Sequence, residues 1–204
     1  MKILTLWEPW ATYIALGVKT IETRSWATPY RGPVAIHAGR TGQTLPASEE
    51  HIRDVPELAR RIPDPLWYPW PLGRVVAVAH LTACFSVAEV LREPAREQPG
   101  EVRDGDGHVR LISWADWRLG DLSAGRCGWA IEDVQKLAVP VAVRGQRGLL
   151  DLDPEDERRV RAALPSPCGV SGHTGADVRE SPYLAGVAVS RSCNACSREG
   201  AARA

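Results

Sequence analysis

The alternation of hydrophobic and polar residues predicts three short elements at the start of the chain. Residues 2–7 form a mostly apolar run that predicts a buried strand. Residues 9–16 repeat apolar side chains at helical spacing, and Gly17 suits the left-handed residue that ends a helix. Residues 20–24 alternate, so a strand there would point Glu22 and Arg24 to the same side.

Further along the chain the same patterns predict more strands and helices. Strands are expected at residues 34–38, 74–82 and 128–134, and the continuous apolar run of 74–82 indicates burial on both faces. Helices are expected at residues 47–61, 87–92 and 154–164, with Ser48, Ser86 and Asp153 as their N-caps. The polar, glycine-rich residues 93–108 are expected to form a loop.

The composition changes along the chain and divides it into parts. We expect a domain over residues 1–150, with an inserted helix and loop at about 39–73, and a short helix at 151–165. After Pro165 the sequence becomes rich in Gly, Ser, Pro and Ala, so residues 166–204 are expected to be a mostly disordered tail.

Charge is balanced overall but not locally. The chain has 25 basic and 25 acidic residues, which argues against holding long nucleic acid mainly by electrostatics. The first 48 residues are nonetheless positive, with only Glu8 and Glu22 set against five basic residues: Lys2, Lys19, Arg24, Arg31 and Arg40. A local basic patch is therefore expected.

Cysteine usage and hydropathy bear on the cellular setting. Five cysteines are an odd number, which favours a reducing, cytoplasmic location over a disulfide framework. No segment reaches the roughly 18 consecutive apolar residues of a membrane helix, so no membrane partner is expected. The sequence leaves the oligomeric state open.

Lys19, Glu22 and Arg24 bring a basic, an acidic and a basic group to one short segment. Read with Gly17, they form the pattern G-x-K-x-x-E-x-R, which resembles the signature of the ASCH domain. Blocks in register with that pattern add to the resemblance: residues 4–10, 30–33, 36–38, 128–132, 140–141 and 145–149. The family implies an α+β fold: a small PUA-like β-barrel of bent, mostly antiparallel strands with short flanking helices.

The resemblance implies a module that binds RNA or a nucleotide, in a cleft formed by the motif. Lys19 and Arg24 would meet phosphate or a base edge, beside Glu22 and the nearby Arg31. Three tryptophans close to the motif offer stacking faces, although core packing explains them about equally well: Trp7, Trp10 and Trp26.

An alternative also follows from the resemblance, because some relatives are small hydrolases. Their acetylcytidine amidohydrolase chemistry would use Lys19, a threonine three positions later and a distant glutamate, but Glu22 stands where the threonine should be. Glu89 and Glu132 are both open as the glutamate. A metal-free ribonuclease would need only a base and a cation, which Glu22 with Lys19 or Arg24 would supply.

No cofactor and no metal are expected. The tail holds four potential zinc ligands, Cys168, His173, Cys193 and Cys196, but no apolar residues are placed to fold around a metal, so unpaired thiols are favoured. His37 lies in a predicted strand, where a structural role is more common than a catalytic one.

Overall fold

The computed structural model describes residues 1–40, 45–62, 64–66 and 68–165. Within them, a mixed sheet of eight strands carries five short helices, which confirms the predicted α+β class. The strands are β1 (Lys2–Leu6), β2 (Ile21–Arg24), β3 (Gly32–Ala38), β4 (Arg74–Arg92), β5 (Gly100–Asp104), β6 (Val109–Ile112), β7 (Cys127–Ala142) and β8 (Leu149–Asp151). The helices are α1 (Trp10–Ala15), α2 (Leu45–Asp54), α3 (Pro56–Ala59), α4 (Trp114–Leu119) and α5 (Pro154–Ala162).

The sheet is open, and the prediction of a closed β-barrel is wrong. Its strands follow the order β2-β7-β4-β3-β1-β8, while β5 pairs with β4 and β6. The two ends of this path are β2, of four residues, and β8, of three. Among the described residues β2 pairs only with β7 and β8 only with β1, so no hydrogen-bonded ladder closes the sheet.

Two long strands form the centre of the sheet. β4 and β7 pair antiparallel, and three register shifts interrupt their ladder. Such bulges increase bending and twist, which lets one strand serve two parts of a sheet. The predicted helix at residues 87–92 is wrong, because this segment is the end of β4 and pairs with β5. Phe85 and Val87 are buried there with the period of two that a strand requires.

Both faces of the central sheet are buried, as the continuous apolar run of 74–82 predicted. On one face, α1 packs Ile14 against Leu4, Ile36 and Trp129. On the other face, Val160 of α5 packs with Ile3, Ala35, Val75 and Val143. Neighbouring residues of one strand alternate between the two clusters, which fixes the register of the strands.

Two further predicted segments are divided differently in the structure. The single helix predicted for residues 47–61 is wrong: α2 ends at Asp54 and α3 begins at Pro56, because a proline disfavours helical geometry at the preceding residue. The loop predicted for residues 93–108 contains β5, which forms a hairpin with β6.

The two best-marked helices are confirmed. α1 lies within the predicted residues 9–16, and Gly17 follows it with φ of 69°. α5 lies within the predicted residues 154–164, and the side chain of Asp153 accepts a hydrogen bond from Glu155 N at 2.9 Å. The predicted tail, residues 166–204, lies outside the described residues. Of the described helices, none has the length and apolar character needed to span a membrane.

Candidate nucleic-acid interface

The end of α1 delivers the motif to the edge of the sheet. Gly17 takes a positive φ that other residues rarely adopt, and the chain then turns back on the helix. The backbone amides of Val18 and Lys19 both donate to Tyr13 O, at 3.0 and 3.2 Å. This turn sends Lys19 beneath the start of β2, so its side chain enters the protein interior.

The motif side chains form an ion-paired row, as the strand alternation predicted. Arg24 Nε lies 3.2 Å from Glu22 Oε1, and Lys19 Nζ lies 3.7 Å from Glu22 Oε2. Lys19 is 0% exposed and Glu22 is 7% exposed. Lys19 Nζ also donates to Ile21 O, so both partners of the lysine belong to its own segment. The row is therefore buried at its Lys19 end and open at Arg24.

Asp116 of α4 holds this row in place. Its Oδ1 accepts hydrogen bonds from Thr20 N at 2.7 Å and Ile21 N at 2.8 Å. Its Oδ2 accepts from the hydroxyls of Thr20 and Ser113, both at 2.7 Å. Asp116 is 2% exposed, so a buried carboxylate accepts from all four donors, although Thr20 and Ser113 are themselves exposed. No sequence pattern points to it, because it lies about a hundred residues after Thr20 and Ile21.

Beside Arg24 opens a large cavity, which we call the arginine cleft. It has a volume of about 1110 Å³ and is lined by five arginines but a single carboxylate, Asp156. The arginines are Arg24, Arg40, Arg144, Arg147 and Arg159. A protein with no net charge therefore concentrates positive charge on one concave surface.

The five arginines differ in whether they form ion pairs with carboxylates of the protein. Arg24 pairs with Glu22, and Arg159 Nη1 contacts Asp156 Oδ1 at 2.7 Å. Arg40, Arg144 and Arg147 are exposed, and none of them forms an ion pair within the described part of the chain. These three guanidinium groups are free to meet an anionic ligand.

The loop that carries Arg144 and Arg147 is fixed by contacts with β1 and β3. Gln146 N donates to Thr5 Oγ1 at 3.1 Å, and His37 Nε2 lies 3.1 Å from Val143 O. Gly145 allows this approach, because a Cβ there would come within 2.5 Å of His37 Cε1. The arginines of the loop are therefore held over the cleft by the sheet.

His37 has a structural role in this arrangement. Burial lowers its pKa, and the carbonyl groups of Val143 and Gly73 only partly oppose that effect. The ring is therefore neutral at physiological pH and joins β3 to the loop that follows β7.

A smaller cavity lies on the other side of Glu22, and we call it the motif pocket. Its volume is about 410 Å³, and its lining includes Trp7, Trp10, Glu22, His51 and Arg118. A third cavity of about 220 Å³, which we call the connecting cavity, shares Arg24 with the cleft and Glu22 with the motif pocket in its lining. Trp7 lines all three spaces.

The other predicted binding residues lie in different environments. Trp7 is 59% exposed, whereas Trp10 is half-buried and donates from Nε1 to Leu119 O at 2.9 Å. Trp26 packs edge-on against Trp129 with ring centroids 4.6 Å apart, and it lines neither cavity. Arg31 is exposed and bonds to the carbonyls of its own turn, outside both cavities.

Near the motif, Glu8 is a buried carboxyl without a cation beside it. Burial raises its pKa from 4.5 to about 7, although the hydroxyl and backbone amide of Thr12 both donate to it and lower the value. Glu8 Oε1 accepts from Thr12 Oγ1 at 2.8 Å and Oε2 from Thr12 N at 3.1 Å. It joins the chain before α1 to the first turn of that helix.

Among the described residues, one cluster of potential metal ligands brings its ligand atoms close together. Asp104, Asp106 and His108 bring ligand atoms within 4.8 Å of one another at the β5–β6 turn. The Asp104 carboxylate already accepts from the amides of Asp106 and His108, and Arg110 Nε lies 2.7 Å from it. A guanidinium in that position opposes a bound cation. The four predicted tail ligands, Cys168, His173, Cys193 and Cys196, lie outside the described residues.

Comparison with known proteins agrees with the resemblance of the motif. The ASCH domain model matches residues 4–110, more than half of the chain. The chain belongs to the ASCH domain family. A search of curated proteins gave no match.

The chain is also similar to two crystal structures of an ASCH protein from Zymomonas mobilis. One has 14% sequence identity and a TM-score of 0.43, covering 80% of this chain and 94% of its own. The other is a tyrosine-to-phenylalanine mutant with 15% identity and a TM-score of 0.42, covering 80% and 97%.

Sequence reasoning missed most of the arginine cleft. Arg144, Arg147 and Arg159 lie beyond the positive first 48 residues, and only the match of residues 145–149 to the family pattern drew attention to that loop. Arg40 was counted in the positive segment but not assigned to a site. Local sequence patterns do not show the long-range contacts that bring the chain after β7 alongside β1 and β3.

Proposed function

We propose that this protein binds single-stranded RNA, with the sugar-phosphate backbone lying in the arginine cleft. The observation that carries this proposal is the set of five arginines around one cavity with a single carboxylate. Arginine forms bidentate hydrogen bonds with phosphate and remains charged at all physiological pH values. The ASCH domain family is itself proposed to bind RNA.

The size of the cleft favours a short strand over a single nucleotide. Small-molecule sites have volumes of about 300 to 1,000 Å³, and this cleft, at about 1110 Å³, exceeds that range. Arg40, Arg144 and Arg147 carry charges that no described carboxylate neutralises, which suits a ligand with several phosphates. The exposure of all three also suits a ligand that enters from solvent.

The hydrolase alternative has less support. Its proposed catalytic lysine, Lys19, is 0% exposed and bonded to Ile21 O and Glu22. A lysine with these contacts stabilises the edge strand, and its buried ammonium group is poorly placed to contact a substrate. Glu89 and Glu132, the two candidate glutamates, are exposed and line neither the cleft nor the motif pocket.

Alanine variants of the cleft test the proposal. We expect Arg144→Ala and Arg147→Ala each to weaken binding of a short labelled RNA about fivefold, equivalent to roughly 1 kcal/mol for one lost phosphate contact. Arg96→Ala is the matched control, because Arg96 is also exposed and has no ion pair with a described residue but lies outside the cleft. Equal affinities for the native protein and both cleft variants would contradict the proposal.

A further inference from the structure

The motif pocket and the arginine cleft, in which the RNA backbone is proposed to lie, share a lining residue. Trp7 lines both spaces, and the connecting cavity is lined by Glu22 and Arg24. We propose that the motif pocket is a subsite that binds one base of the RNA. It prefers bases that carry an exocyclic amino group and discriminates against uracil. This inference rests on the proposed function, because the cleft must first hold the RNA.

The charges of the motif pocket make it unsuitable for phosphate. Arg118 Nη2 contacts both Asp54 and Glu50, and Arg126 Nε lies 3.1 Å from Asp121 Oδ2. Lys19 lies behind Glu22 and is paired with it. Every described cation at the motif pocket therefore has a carboxylate partner, unlike Arg40, Arg144 and Arg147 in the cleft. Phosphates belong in the cleft, and an uncharged base suits the pocket.

Glu22 provides the chemical selection. Its carboxylate is ion-paired with Lys19 and Arg24, and an ionised carboxylate only accepts hydrogen bonds. Two oxygens offer about four acceptor positions, so capacity remains for a ligand. A carboxylate accepts well from the exocyclic amino group of cytosine. Uracil has a carbonyl oxygen at the same position, and that oxygen would face the carboxylate without a hydrogen between them.

Trp7 provides the surface on which the base stacks. It is 59% exposed and lines the cleft and the motif pocket, so its ring is accessible to a base in either space. Aromatic rings stack on every base with little sequence preference. Trp10 lines the same pocket and is held by its hydrogen bond to Leu119 O. Trp7 therefore adds affinity for any base, while Glu22 decides which base is accepted.

The native protein allows a direct test with two probes of equal length and charge. Cytosine and uracil oligoribonucleotides share ring shape and backbone; they differ at position 4, which carries an amino group or a carbonyl oxygen, and at N3, which carries a hydrogen only in uracil. We expect the cytosine strand to bind about tenfold more tightly, the size of one good base contact. Equal binding of both strands, with the salt dependence of binding intact, would overturn the subsite but leave the proposed function standing. If neither strand binds, both the subsite and the proposed function are overturned.

Two variants separate selection from stacking. Glu22→Gln offers an amide that can also donate to a carbonyl, so the preference for cytosine over uracil is expected to disappear; its folding is checked by thermal unfolding because Lys19 loses its counter-charge. Trp7→Ala, at an exposed position, is expected to weaken both strands alike and keep the tenfold ratio. A ratio that survives in folded Glu22→Gln would overturn the role of Glu22.

Discussion

Charged side chains are used in opposite ways by two adjoining regions of this protein. At the motif, Lys19, Glu22 and Asp116 are buried. Lys19 pairs with Glu22, and Asp116 accepts a hydrogen bond from the backbone amide of Thr20. In the arginine cleft, Arg40 and Arg144 are exposed and have no ion pair with any described residue. The motif therefore forms the buried edge beside the cleft, while arginines outside the motif supply the unpaired positive charge that the proposed RNA would meet.

The burial of the motif region predicts that its polar residues carry stability. Asp116→Ala would leave the buried amide of Ile21 without its acceptor, whereas the amide of the exposed Thr20 can turn to water. We expect a loss of about 2 kcal/mol in the free energy of unfolding, since an unsatisfied buried donor costs about 1 to 3 kcal/mol. Denaturant unfolding measures it, with the exposed Asp106→Ala as control. A loss below about 1 kcal/mol would contradict this role.

Glu8 extends the comparison, because it is a buried carboxyl with no cation beside it. Its pKa of about 7 in the folded protein exceeds the value of 4.5 for a free glutamate. The folded state therefore binds a proton that the unfolded state has lost, and stability falls as the pH rises from about 4.5 to about 7. The total contribution is about 3 kcal/mol.

Glu8→Gln removes this titration and retains the shape of the side chain. We expect its free energy of unfolding to be nearly flat over that pH window relative to the native protein, with the largest gain near neutral pH. Glu97→Gln, at an exposed loop position, serves as the control. Parallel pH profiles for the native protein and Glu8→Gln would show that the burial of Glu8 does not control the effect.

A substitution at Lys19 tests whether this motif residue contacts RNA or only stabilises the fold. Lys19→Met removes the buried charge, and Glu22 keeps Arg24 as a partner, so we expect a loss of about 2 kcal/mol, below the range for breaking an isolated buried pair. The salt dependence of RNA binding should not change, because Lys19 has no exposed surface. A flatter salt dependence in a folded Lys19→Met protein would contradict this expectation and show that Lys19 contacts RNA.

Local patterns were sufficient for part of the structure. The apolar spacing of residues 9–16 and Gly17 predicted α1, and strand alternation predicted that Glu22 and Arg24 share a side. Both predictions depend on residues within one turn or one strand. The α+β class followed from the same local signals and from the family resemblance.

Long-range contacts account for what the sequence did not reveal. The segment 87–92 reads as a helix on its own, but pairing with β5 makes it a strand. Lys19 is buried where residues about a hundred positions later pack on its segment: Asp116 of α4 bonds to Thr20, and Gly120, just after α4, lies against Lys19 Nζ. The arginines after β7 reach the cleft through contacts such as Thr5 with Gln146, 141 residues apart.

The central claim is that the arginine cleft binds RNA through phosphate. Its most direct test is the slope of the logarithm of binding affinity against the logarithm of salt concentration, for the native protein and for the combined variant Arg40→Ala, Arg144→Ala and Arg147→Ala. Each phosphate contact to single-stranded RNA contributes about 0.7 to that slope. We therefore expect a slope about two units smaller in the combined variant and an unchanged slope in Arg96→Ala. A combined variant that binds RNA with the native slope would contradict the claim.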